Sequence, residues 1–194
     1  VMMEKVTVTK NHGLFINLAS SIVAFGANLV INFFLSPYIV KSLGVEANGF
    51  VTLANNFVGF ASLATIALNS MAGRFITIKV HQNEIEIANK YYTAVTIGNF
   101  ILALLMLVPS MVCVFYLEKI ININTNLIWD VKLLFTLTFI NFLISTAFSS
   151  WETATFVTNR LYLQSIRTMQ SQILRVVIIL GLFILLHPSV YYVG

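Results

Sequence analysis

The chain has 194 residues, 58% of them hydrophobic and 9% charged, with a formal net charge of +4 and a mean hydropathy of +0.89. Soluble domains carry about 25% charged residues, so an ordinary water-facing surface is excluded and the bilayer is the solvent for most of the chain. The basic residues are spread over the flanks of the apolar blocks, which excludes a nucleic-acid stripe, and the lone Cys113 excludes a disulfide framework or a cysteine metal site.

A hydrocarbon core about 30 Å thick needs roughly 20 mainly apolar residues per helix, and the apolar blocks have that length. The first predicted helix covers residues 14–40, with Pro37 expected to bend or end it because proline lacks the amide donor. A link over 42–48 leads to the second helix, 49–72. Arg74 and a polar stretch over 79–90, with His81, Glu84 and Glu86, follow and are expected to lie in water. The third helix covers 91–117 and contains Pro109, which membrane helices tolerate when neighbours satisfy the freed carbonyl. Asn122, Asn124, Thr125 and Asn126 make a turn-rich loop closed by Trp129 at the interface.

The fourth helix covers 131–156. After it, Arg160, Gln164, Arg167, Ser171 and Arg175 recur at spacings of three and four opposite Leu163, Ile166 and Ile173. This pattern predicts an amphipathic cytoplasmic segment over 159–175 lying on the membrane surface. The fifth helix, 173–187, begins inside that segment and ends at His187 and Pro188. The fold class is therefore all-α: a polytopic integral membrane protein with about five transmembrane helices and no extramembrane domain.

Short cytoplasmic loops are enriched in Lys and Arg. Counting alternate sides gives eight basic residues (Lys5, Lys10, Arg74, Lys79, Lys90, Arg160, Arg167, Arg175) against three (Lys41, Lys119, Lys132). The N-terminus is thereby assigned to the cytoplasm and the protein to the cell membrane, with the chain stopping on the outer side.

No catalytic constellation is present. His12, His81 and His187 are scattered, and there is no phosphate-cradling Gly-rich loop, nucleophile elbow or carboxylate pair. The sequence supports no enzyme, no metal site and no cofactor. The informative residues are polar ones inside apolar blocks, since burying an amide or charge in hydrocarbon is costly without a partner or a wet cavity. Asn17, Ser21, Asn28 and Asn32 form a stripe on the first helix at 100° per residue. Thr52, Asn55, Asn56, Gly59, Ser62 and Asn69 gather on one side of the second. On the fourth, Thr138, Asn141, Ser145, Glu152, Thr155 and Asn159 align, and Glu152 is the single acidic residue within any predicted span. Two readings stand: helix-to-helix glue, for which Ser, Thr, Asn and Gly are favoured, or a water-filled cavity whose carboxamides and hydroxyls exchange hydrogen bonds with sugars. The cavity candidates are Asn28, Asn32, Asn55, Asn56, Asn141 and Glu152. Arg74 reads either as a snorkelling anchor or as a functional cation.

The run Ser42-Leu43-Gly44-Val45-Glu46-Ala47-Asn48-Gly49-Phe50, then an apolar helix, then Met71-Ala72-Gly73-Arg74-Phe75-Ile76, resembles the opening of polysaccharide flippases of the multidrug, oligosaccharidyl-lipid and polysaccharide exporter superfamily. Asn159-Arg160-Leu161-Tyr162-Leu163 is similar to that family's cytoplasmic link into its fifth helix. The resemblance implies a two-lobed transporter with a central cavity, of which this chain is most of the first lobe with the second lobe absent. It implies translocation of an undecaprenyl-pyrophosphate-linked oligosaccharide for capsule or other surface polysaccharide biosynthesis. Arg74 then becomes the candidate that attracts the pyrophosphate, and polysaccharide polymerase and glycosyltransferases are implied partners beside membrane lipid. The alternatives are a cation-coupled multidrug and toxin extrusion transporter, for which Glu152 is the available carboxylate, and a non-transport membrane assembly partner.

Overall fold

The computed structural model describes residues 12–123, 127–185 and 189–193, and among these every regular element is helical. The elements are α1 (His12–Leu43), α2 (Val45–His81), α3 (Ile85–Phe115), the single turn α4 (Leu117–Ile120), α5 (Ile128–Ala147), α6 (Ser150–Val157), α7 (Leu161–Leu185) and a 3-10 turn, Val190–Val193. Five of them, α1, α2, α3, α5 and α7, are long and apolar enough to cross a membrane. Their outward faces carry large apolar side chains such as Phe33, 75% exposed, and Leu104, 71% exposed. Such faces are unfavourable in water and suit lipid or other apolar helices. Lys5, Lys10, Asn124 and His187 lie outside the described residues.

α1, α2 and α3 run longer than their hydropathy blocks because polar flanks with helical propensity carry on the backbone bonding. The predicted link over 42–48 reduces to Gly44 alone, whose φ of 89° is left-handed and suits glycine; Glu46 and Ala47 already belong to α2. Pro37 lies inside α1 and does not end it, and α3 continues past Pro109 to Phe115. Most of the polar stretch over 79–90 is helical as well. The α2–α3 turn occupies only Gln82–Glu84, with Asn83 left-handed at φ 63°, and Lys79 closes it by donating to Glu84 Oε2 at 2.7 Å and Gln82 Oε1 at 3.0 Å.

Two differences bear on function. The predicted fourth helix, 131–156, is two helices, because α5 stops at Ala147 and α6 begins at Ser150. No Pro or Gly marks the break. The Ser149 hydroxyl instead donates to the Thr146 carbonyl at 2.8 Å, the local bond by which Ser competes with helix. Glu152 consequently lies beyond the fourth span, in α6. Conversely, the amphipathic segment from Leu161 onward and the fifth block as far as Leu185 are one continuous 25-residue helix, α7. Nothing between them lacks an amide or favours a turn, so the backbone has no reason to stop. Arg175 is thereby removed from the cytoplasmic flank to a point about 20 Å along the helix axis from Leu161. Without it the basic-residue count becomes seven against three, of the same sign.

The main core lies where α1, α2, α5 and α7 meet, around Leu35, Ile39, Phe50, Val51, Leu134, Phe135, Ile179 and Phe183. A smaller core of Ala72, Ile76, Val80, Ala88 and Val157 ties α2, α3 and α6 at the other end. α6 packs close to Gly73 there: a Cβ at that position would meet the Phe156 ring at 3.4 Å, at the edge of ordinary contact.

Candidate functional site

The polar stripes divide into satisfied and open groups. On α1, Asn17 is buried and faces α7. Its amide donates to Asn159 O at 3.1 Å and Asn159 Oδ1 at 2.8 Å, while its own Oδ1 accepts the Tyr162 N–H at 2.9 Å. This side chain therefore caps the first turn of α7 from a distant helix, satisfying an amide that has no partner inside α7. One turn on, the Ser21 and Ser165 hydroxyls pair at 3.3 Å. Asn69 of α2 is the hub of a second group. It donates to Ser149 Oγ at 2.9 Å and accepts from the fully buried Asn99 at 2.9 Å and from Thr153 at 3.4 Å. Asn17, Ser21, Asn69 and Asn159 are glue.

The open group lines a groove between α7 on one side and α2, α5 and α6 on the other. One bay, of about 640 Å³, is walled by Ser145, Ser150, Trp151 and Glu152 from the α5–α6 side and by Gln164, Arg167 and Thr168 from α7. A second, of about 440 Å³, is walled by Asn55 of α2, Thr138 and Asn141 of α5, and Arg175 of α7. Ser171 and Gln172 line both bays, which makes them two parts of one groove. Of the sequence candidates, Asn55, Asn141 and Glu152 are thus brought together. Asn28, Asn32, Asn56 and Arg74 are not among the residues lining either bay. Asn32 bonds back to Asn28, reaching its carbonyl at 2.9 Å and its side-chain oxygen as well, on an open face of α1. Arg74 is exposed at the α2–α6 end.

The residues that sequence reasoning left out of the site are Gln164, Arg167, Ser171, Gln172 and Arg175. Their spacing of three and four was visible and was assigned to the membrane surface. The missing signal was the absence of any helix stop before the fifth apolar block, which carries the same polar face inward. Arg175 donates to Val193 O at 3.2 Å, from the 3-10 turn. The Arg167 guanidinium lies over the Trp151 ring, 4.9 Å from its centroid, a cation–π geometry. No ion pair joins Arg167 to Glu152 among the described residues. Partial burial pushes the Glu152 carboxyl above its ordinary value, and the nearby Arg167 charge pulls it back in part. With two arginines against one carboxylate, the groove is a cationic, hydroxyl- and carboxamide-lined trough on a lipid-facing bundle.

No family model and no solved structure matches the chain. The chain is similar to the uncharacterized membrane protein EpsK of Bacillus subtilis (strain 168), with 31% identity over 176 residues, 91% of this chain. It spans 35% of that protein's length. Homology to a membrane protein and five helices of spanning length and apolarity together make this a multi-pass α-helical membrane protein.

Proposed function

We propose that this multi-pass membrane protein takes part in moving an undecaprenyl-pyrophosphate-linked oligosaccharide across the cell membrane for surface polysaccharide assembly, and that the α7 groove is part of its path. The observation that supports this best is the groove's composition. Hydroxyls and carboxamides exchange hydrogen bonds with a glycan, while Arg175 attracts an anionic pyrophosphate. In this reading the lipid tail stays in hydrocarbon while the headgroup crosses along the groove. Arg175 takes over the role that the resemblance gave to Arg74, because it lies inside the groove and Arg74 does not. The motif turn at Leu43-Gly44 agrees with the resemblance, its glycine occupying a left-handed position. Polymerase and glycosyltransferase partners belong to this same reading.

A cation-coupled multidrug transporter is disfavoured by the same groove, which carries a single carboxylate and two arginines and so repels cationic drugs. The deciding experiment is surface glycan per folded molecule in cells carrying the protein from its own gene. Arg175→Gln should cut it severalfold, whereas Arg74→Gln should leave it near wild type. Unchanged glycan with Arg175→Gln, or protection from cationic dyes conferred by the wild type, would overturn the reading. The cytoplasmic N-terminus is tested in a Cys113→Ala background. Glu84→Cys should resist a membrane-impermeant thiol reagent in intact cells, and strong labelling would reverse the orientation.

A further inference from the structure

The two bays of the groove are chemically different, and the difference names what each takes. The bay with Asn55, Asn141 and Arg175 has carboxamides and a cation. The bay nearer the start of α7 adds an indole, Trp151, beside a carboxylate, Glu152, and a carboxamide, Gln164. We propose that this larger bay is a carbohydrate subsite, in which Trp151 stacks on the C–H face of one sugar ring while Glu152 and Gln164 bond its hydroxyl rim. The proposal rests on the flippase reading and assigns the sugar and the pyrophosphate to separate parts of the groove.

Four observations carry it. A pyranose has an apolar C–H face and a polar edge, and an aromatic ring flanked by acceptors matches both at once. The indole is half-buried and has the Arg167 guanidinium over one face, which fixes its plane. Glu152 forms no ion pair among the described residues, leaving both oxygens to accept hydroxyls. At the boundary of the bay, Gln172 Oε1 is buried with no hydrogen-bond partner among the described residues, and buried acceptors are ordinarily satisfied. A turn of the Gln172 side chain toward the bay would let a ligand hydroxyl supply that bond. The bay's volume of about 640 Å³ lies in the range of small-ligand sites.

The test uses the protein from its own gene, purified into nanodiscs, with two radiolabelled probes: the oligosaccharide-bearing undecaprenyl pyrophosphate extracted from the host, and bare undecaprenyl pyrophosphate. Trp151→Leu and Glu152→Gln should each weaken binding of the glycolipid about tenfold and leave the bare lipid within about twofold. Trp151→Phe, which keeps a ring, should fall between and guards against a folding artefact. Equal loss for both probes, or no loss for either, would overturn the subsite while leaving the flippase reading standing. A wild type that binds neither probe would overturn both.

Discussion

The α1–α7 seam and the α7 groove lie on the same helix and use the same residue types, yet they behave oppositely. In the seam, Asn17 finds Asn159 and Tyr162 within 3.1 Å and Ser21 finds Ser165. In the groove, Asn141 and Ser145 are exposed toward a bay. An asparagine in an apolar block therefore says only that something polar faces it. Whether that is a neighbouring helix or an aqueous trough depends on which helix lies across, and this is a tertiary fact.

The contrast can be broken most forcefully at the Asn69 hub, which belongs to the satisfied class. Asn69→Leu leaves the buried Asn99 amide without an acceptor and frees Ser149, and orphaning a buried donor costs about 1–3 kcal/mol. The expected result is a Tm lower by roughly 4–8 °C; an unchanged Tm would mean the cluster is not structural. Asn17→Ala should come next, losing the cap on α7 at about 1 kcal/mol and lowering Tm by roughly 2–4 °C.

Glu152→Gln sharpens the comparison from the groove side. A carboxyl whose folded value is raised binds its proton more tightly when folded. Its contribution is therefore favourable only at low pH, and stability falls as pH rises through the raised value. The variant should be slightly more stable than wild type at pH 7.5, with the two melting curves converging near pH 4. Convergence at high pH instead would refute the assigned direction. The smallest stability effect belongs to Asn141→Leu, within about 0.5 kcal/mol of wild type, since leucine suits the bilayer. On the proposed function, surface glycan per folded molecule should nonetheless drop. A loss of folded protein that accounts for all lost glycan would move Asn141 into the glue class.

Much of this division was legible in sequence and part of it was not. The five apolar blocks, and the polar stripes on the first, second and fourth, could be read from period and hydropathy because each is a property of a single helix. Asn55 and Asn141 were singled out as polar residues on one face and line the groove, but Asn17 and Asn69 carry the same signature and are closed off by partners 142 and 80 residues away. The α5–α6 break escaped notice because its cause is one serine hydroxyl turned onto its own backbone and held by Asn69. Arg175 was misplaced for a simpler reason. A charge near an apolar block reads as a flank unless the helix is known to pass straight through.

The Asn17 clasp also bears on how the protein is made. Asn17 leaves the ribosome 142 residues ahead of Asn159, so α1 must enter the bilayer and wait with its carboxamide unmatched until α7 arrives. α1 and α7 then close on one another, and α7 receives its N-terminal cap from a helix made well before it. The seam thus sets an order of assembly: this face of α1 stays open until α7 is in place.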